Sequence, residues 1–346
     1  LDLYSSTVPY ICGCKQVRGL RVWNPDTVHS NFELQNSKLN FPLAAAALVD
    51  LAVGSVLGLV MFGVGLSLSF YEFKHVVRYP RAFLSALGAQ MLGLPLIAFI
   101  ISLLAPLPAE IKVGLIILAA SPGGATSGFL TYLWRGNVAL SLSLTSVNSF
   151  LTLFSIPVVV NFGLRVFMGR ETDLHLPFWD TFSHIFFITM IPATLGILLR
   201  RRAPRFADRI AKPAKYVMLV LLGVVFTIKL FGGESSGGSG LTRSDFLLIT
   251  PFALLQNAAC LFFGYFFLKW MGFPHTSRLT AAMESGVQNT TLAFLIASNM
   301  LQNQEMVKPA LVYSLYSFWT ACLFAYSANK LNAGPPKISI EKPLDE

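Results

Sequence analysis

Charge is scarce in this sequence. Of 346 residues only 12% are Asp, Glu, Lys or Arg, whereas 54% are apolar. An average soluble domain carries roughly 25% charge, so this composition does not suit a water-facing surface. Alternation of polar and apolar residues is missing too. The apolar runs are continuous, which excludes a transmembrane β-barrel. Cysteine is sparse, with four in the chain. Cys12 and Cys14 form a C-x-C without a matching His/Cys pair for zinc. Cys260 and Cys322 fall inside apolar runs and read as small packing residues. His184 and His275 share no metal-ligand spacing and read as interfacial. Residues 1–40 lack the apolar run of a signal peptide. The chain opens on Leu, so a missing or removed upstream piece is expected.

What is present is a series of long apolar segments, at 43–70, 82–105, 110–134, 138–163, 179–199, 214–231, 245–271, 277–299 and 307–328. A helix needs about 20 apolar residues to cross a bilayer, and helices satisfy their backbone polar groups internally. The expectation is an all-α membrane protein with nine transmembrane helices. Residues 1–42 form a polar tail, 43–328 the membrane domain and 329–346 a C-terminal tail.

The net charge of +9 marks topology rather than nucleic-acid binding. Loop 200–215 holds seven Lys/Arg against one acid, Asp208. Lys74, Arg78, Arg81, Lys269, Arg278 and Lys330 fall on the same side if the spans alternate. The opposite loops hold Glu110 and Lys112, the mixed stretch 170–173, the Gly/Ser run 232–240, and Glu305 with Lys308. The positive-inside rule puts the C-terminus in the cytoplasm and the N-terminus outside. Asp50, near the start of the first span, reads as interfacial.

Glu284 is an acid inside an apolar segment, which also holds Ser285, Gly286, Gln288, Asn289, Thr290 and Thr291. An acid at membrane depth costs about 2.5–3.5 kcal/mol on insertion scales and marks an ion or substrate path. A second segment is interrupted by Ser121-Pro122-Gly123-Gly124. Proline removes a donor there, and glycine favours other backbone angles. The breaks lie 163 residues apart, counted from Gly123 to Gly286, and the preceding spans hold Gln90 and Gln256. Paired interruptions at matching places in two halves are the mark of secondary transporters built from inverted repeats. A full pattern would have ten spans; the first repeat lacks its opening helix.

Ser121 to Ser127, the run from Thr131 to Ser146 and Glu284-x-Gly-x-Gln288-Asn289 together resemble the bile acid:sodium symporter family. So do Met61 to Leu66 and Gln90. The likeness spans residues 43–328. It implies a core domain with two crossing discontinuous helices, a panel domain, and sodium-coupled uptake of an organic anion by alternating access. The anion would be a bile acid, steroid conjugate or small carboxylate. Two sodium sites are implied. One uses Ser127, Ser141, Thr145 and Glu284 with a contribution from position 128. The other uses Gln90, Glu284, Gln288 and the carbonyls of Ser285 and Val287. Asn289, Thr126, Pro122 and Gly128 are implied in substrate binding. Where the family often has Asn, this chain has Gly128. The first site then relies on water or backbone, binds more weakly, or is absent. The oxygen-rich set suits a hard cation such as sodium.

Other classes stay in view. A proton-coupled carrier or antiporter favours a second acid beside Glu284, and only Asp50 lies in a span. An intramembrane hydrolase using Ser127 or Ser141 lacks a visible base, and no enzyme is expected. A receptor or scaffold is a further alternative.

Overall fold

The computed structural model describes residues 14–17, 20–23, 54–66, 80–169, 174–232 and 238–332. Most of the polar tail, Asp50, Lys74, Arg78, the stretch 170–173 and residues 333–346 lie outside the described residues. Two short strands, β1 (Cys14–Val17) and β2 (Leu20–Trp23), pair antiparallel. Among the described residues everything else with regular structure is helical.

Helix α1 spans Gly54–Leu66. Helix α2 (Pro80–Leu104) contains a π-turn at Ala89–Gly93. A short turn leads to α3 (Ala109–Ala119), and after a break α4 covers Ala125–Leu133. Helix α5 (Val138–Phe167) starts where the Asn137 side chain accepts from Leu140 N at 3.1 Å. Such a cap fills a donor that the first helical turn leaves open. Helix α6 (Phe178–Arg202) also carries a π-turn, and α7 spans Pro204–Phe231. Helix α8 (Arg243–Trp270) opens with a capping box between Thr242 and Asp245 and closes before the left-handed Gly272. Helix α9 (His275–Gly286) is followed by a second break. A helical stretch at 290–300, here α10, begins α-helical and ends as a π-helix. Helix α11 spans Gln304–Asn332.

Among the described residues four helices, α2, α5, α6 and α8, are long and apolar enough to cross a bilayer. Their outer faces carry exposed leucines and aromatics, such as Leu92, Leu96, Leu103, Phe162 and Phe187. So much apolar surface on a soluble protein would drive association; in lipid it is the ordinary exterior. The protein is an integral membrane protein.

Hydrogen bonds show which helix ends lie together. Arg200 at the end of α6 donates to Leu66 O at the end of α1, at 2.7 Å. Asn137 N, before α5, donates to Thr280 Oγ1 of α9 at 2.8 Å. His275 is held between Tyr265 of α8 and Asn329 of α11, at 2.9 and 2.7 Å. At the opposite end Lys308 of α11 pairs with Asp245 of α8 at 2.8 Å, and with Glu305.

Helix α1 lies unusually close to α6. A Cβ on Gly65 would collide with the Ala193 carbonyl, and one on Gly196 with the Phe62 carbonyl. Glycine is needed here for two backbones to touch, as in other membrane helix pairs. Helices α8 and α9 pack against each other most extensively, with α11 against α3 and α8.

Candidate functional site

The site is built from the two breaks. In the first, Pro122 has no N–H and the two glycines after it leave the helix, so the chain is extended before α4 begins. Ser121 Oγ donates to Ile117 O at 2.9 Å, while the Ser121 carbonyl faces the other break. In the second, the helical ladder stops at Val287 N to Met283 O and resumes at Ala293 N to Asn289 O. Three intervening donors are redirected. Asn289 N goes to Ser121 O at 2.9 Å, Thr290 N to Gln288 O at 3.0 Å, and Leu292 N to the Asn289 side chain at 3.1 Å. The breaks therefore bind one another directly. The carbonyl of Ser285 loses its helical donor, because Asn289 N has gone to the other break.

The freed carbonyl of Gly286 is taken up by two side chains that sequence reading did not single out. Tyr313 of α11 donates at 2.6 Å and Asn257 of α8 at 2.7 Å. Thr320 in turn donates to Asn257 Oδ1 at 2.5 Å. Asn257 and Tyr313 stand 29 and 27 positions from Gly286, and Thr320 lies further along α11, so no local pattern announces them.

Glu284 sits at this junction with 0% exposure. Its Oε1 accepts from Ser127 at 2.9 Å and Ser141 at 2.5 Å, and its Oε2 accepts from Thr145 at 3.2 Å. Residues from α4, α5 and α9 thus converge on one carboxylate. Among the described residues the ion pairs lie elsewhere, at Arg200–Asp208 and at Lys308 with Asp245 and Glu305. A buried carboxylate held only by hydroxyls either takes up a proton or pairs with a cation. Gly123 makes room for it. A Cβ there would sit 2.8 Å from the Glu284 carbonyl, from its Oε2 and from Ser127 Oγ.

A second set of buried amide and hydroxyl groups lies on α2, on α5 and along the second break. Gln90, in the π-turn of α2, accepts from Asn148 of α5. Gln288 Nε2 rests on Cys260 Sγ at 3.7 Å, and its Oε1 has no protein partner. Ser285 Oγ and Asn148 Oδ1 are likewise buried and unpartnered, as is the Gln90 amide nitrogen. Buried polar atoms almost always have partners, so the unpaired oxygens of Ser285, Gln288 and Asn148 fit a hard cation that takes several oxygen ligands. The residues present suit sodium chemically.

The other predicted positions divide. Gln256, the counterpart of Gln90, donates to Leu115 O at 3.1 Å and joins α8 to α3. Asn289 is half-buried and spends its oxygen capping α10. Pro122 is buried, Gly128 half-buried and Thr126 exposed. None of Pro122, Thr126, Gly128 and Asn289 lines the cavity of about 320 Å³ that opens between α1, α5 and α6. Met61, Ser146, Ser149, Phe150, Thr194 and Ile197 are among its walls, and Ser146 directly follows Thr145.

A helical membrane protein with two mutually bonded broken helices and a buried carboxylate between them defines a transporter-like class. The model of the sodium bile acid symporter family matches residues 55–235, and the chain belongs to that family. It is 29% identical over 75% of its length to a Bacillus subtilis protein named as an uncharacterized sodium-dependent transporter, YocS, covering 77% of that protein. It is 28% identical over 74% of its length to a rice chloroplast protein named as a probable sodium/metabolite cotransporter, BASS2. The match covers 58% of the rice chain. Human sodium/bile acid cotransporter 4 is 27% identical over 86% of this chain, with 67% of the human protein covered.

Proposed function

We propose that the protein is a sodium-coupled symporter of an organic anion, working by alternating access. The observation that carries this reading is Glu284, fully buried where two broken helices meet and held by Ser127, Ser141 and Thr145. Sodium would be held by this cluster and by the neighbouring set of Gln90, Gln288 and the carbonyls of Ser285 and Val287. Gly128 adds no side-chain oxygen to the first set. Without an ion the carboxylate is balanced only by hydroxyls. With one bound, α4, α5 and α9 share a common partner and the junction tightens. The names of the relatives, one a sodium-dependent transporter and one a sodium/bile acid cotransporter, agree with sodium in this role.

The anion's apolar body fits the cavity between α1, α5 and α6, whose walls are largely apolar with hydroxyls at Ser146, Ser149 and Thr194. Thr126, Gly128 and Asn289, beside Pro122, form the polar side of the path. Movement of α1, α6 and α7 as a panel against the remaining helices as a core would expose the site to either face.

The architecture is read as nine spans, with α3–α4 and α9–α10 each counting as one broken span. Pro80 and Arg243 begin corresponding helices 163 residues apart; Ala109 and His275, and Val138 and Gln304, are each 166 apart. The paired helices run in opposite directions if spans alternate, which supports an inverted repeat. Arg81, Arg135, Arg200, Arg201, Arg202, Lys269, Arg278 and Lys330 then gather at one end, which we assign to the cytoplasm with the C-terminus.

The test is thermal stability of the detergent-purified protein in NaCl against KCl at equal ionic strength. Ligand binding to the folded state raises stability by RT ln(1 + [L]/Kd), so a sodium-specific rise is expected in the native protein. Glu284→Gln should abolish it, and vesicle uptake should follow a sodium gradient. A proton-coupled reading is favoured by one feature, the absence of a basic partner for Glu284 among the described residues. Sodium-insensitive stability with uptake driven by a pH gradient would establish that alternative.

A further inference from the structure

We propose that Asn148 is a ligand of the coupled cation, working as one half of an amide pair with Gln90; this rests on the sodium reading given above. Helix α5 presents Ser141, Thr145 and Asn148 at i, i+4 and i+7, a spacing that puts all three on one face. The first two donate to Glu284. The third is 1% exposed and donates through Nδ2 to Gln90 Oε1. Two atoms of the pair are left over, Asn148 Oδ1 and Gln90 Nε2, and neither has a protein partner.

The Asn148 amide oxygen is therefore left unfilled in a buried setting. A hard cation takes such an oxygen readily. The π-turn carrying Gln90 packs against α9, the helix of Glu284. Ser285 Oγ and Gln288 Oε1, also unpartnered, follow Glu284 in sequence, with both residues against α8 at Gly264 and Cys260. Asn148 therefore brings α5 into the same ion environment a second time, one turn beyond Thr145. The competing role is that of a neutral amide joining α2 to α5.

The experiment measures the sodium concentration that gives half of the thermal stabilisation, with KCl keeping ionic strength constant. The native protein is compared with Asn148→Ala, Asn148→Ser, Asn148→Asp and Glu284→Gln. Removing the ligand should raise the half-saturating sodium by at least about tenfold in Asn148→Ala, a typical cost for lost metal-site support. Asn148→Ser keeps a small polar group and guards against misfolding of the alanine variant. Asn148→Asp should lose stability in KCl and recover it in NaCl, since the added carboxylate needs the cation. Equal losses in both salts with unchanged half-saturation would overturn the proposal and leave Asn148 as interhelical glue. A native protein without a sodium-specific rise would sink the sodium reading itself, and this proposal with it. A rise that Glu284→Gln abolishes but the Asn148 variants leave unchanged would sink the proposal alone.

Discussion

Space around the Glu284 carboxylate is set by a single missing methyl group. At Gly123 an added Cβ would press on the Glu284 carbonyl, Oε2 and Ser127 Oγ, all at 2.8 Å. At neighbouring Gly124 the nearest atom is Asn289 Nδ2 at 3.6 Å, an ordinary contact. Gly123→Ala is therefore expected to cost about 1–3 kcal/mol, as overpacking does, and to remove most of the sodium-specific thermal shift. Gly124→Ala should keep that shift, and melting curves in the two salts separate the pair. Much of this environment was legible in the sequence. An acid in an apolar run, with Pro-Gly-Gly in another, suffices to pick out both breaks. Ser127, Ser141 and Thr145 carried too little signal alone, since hydroxyls in membrane helices often bond to their own backbone. Here Ser141 and Thr145 turn to Glu284, and Ser127 is shared between Glu284 and the Gly124 carbonyl. Asn148 escaped notice although it continues the same helical stripe. Its neighbour Gln90 lies 58 positions away, and nothing local links them.

A broken helix needs donors from outside to stay broken. At the second break those donors are Tyr313 and Asn257, both aimed at the Gly286 carbonyl. Losing one should cost about 1 kcal/mol, the usual net value of a hydrogen bond, because the other remains. Losing both leaves a buried carbonyl unsatisfied. Tyr313→Phe should lower the melting temperature slightly. Tyr313→Phe with Asn257→Leu should lower it by more than the sum of the single changes, a coupling that a double-mutant cycle reads directly. Equal additivity would mean that the two donors act independently. Helices α2 and α8 followed from apolar length, with boundaries within a few residues, whereas α7 begins at Pro204, inside the basic stretch expected to be a loop. The π-turns of α2, α6 and α10 did not. A π-turn depends on one shifted hydrogen bond, and residues such as Ala89–Gly93 give no pattern for it.

Across the whole molecule, α7 touches the second broken helix through a buried contact. Lys229, near the end of α7, donates to Ser298 Oγ of α10 at 3.2 Å. If α1, α6 and α7 move against the other helices, this contact has to open. Lys229→Cys and Ser298→Cys in a background without other cysteines, bridged by a bifunctional thiol reagent, should arrest vesicle uptake. The sodium-dependent thermal shift should persist, since Glu284 and its hydroxyls are untouched. Continued uptake after complete bridging would show that the two helices move together. Such a contact joins residues 69 apart. It was invisible in a reading that treats each apolar run as a separate span.

The bond from Asn289 N to Ser121 O also has a meaning in time. Ser121 leaves the ribosome 168 residues before Asn289. At synthesis rates of about 5–20 residues per second, the first broken helix waits roughly 8–34 s for the group that completes it. During that interval its open carbonyl has to be sheltered by the insertion machinery, by lipid headgroups or by water. Slowing translation between the two breaks should lengthen this exposed stage and increase degradation of the nascent chain.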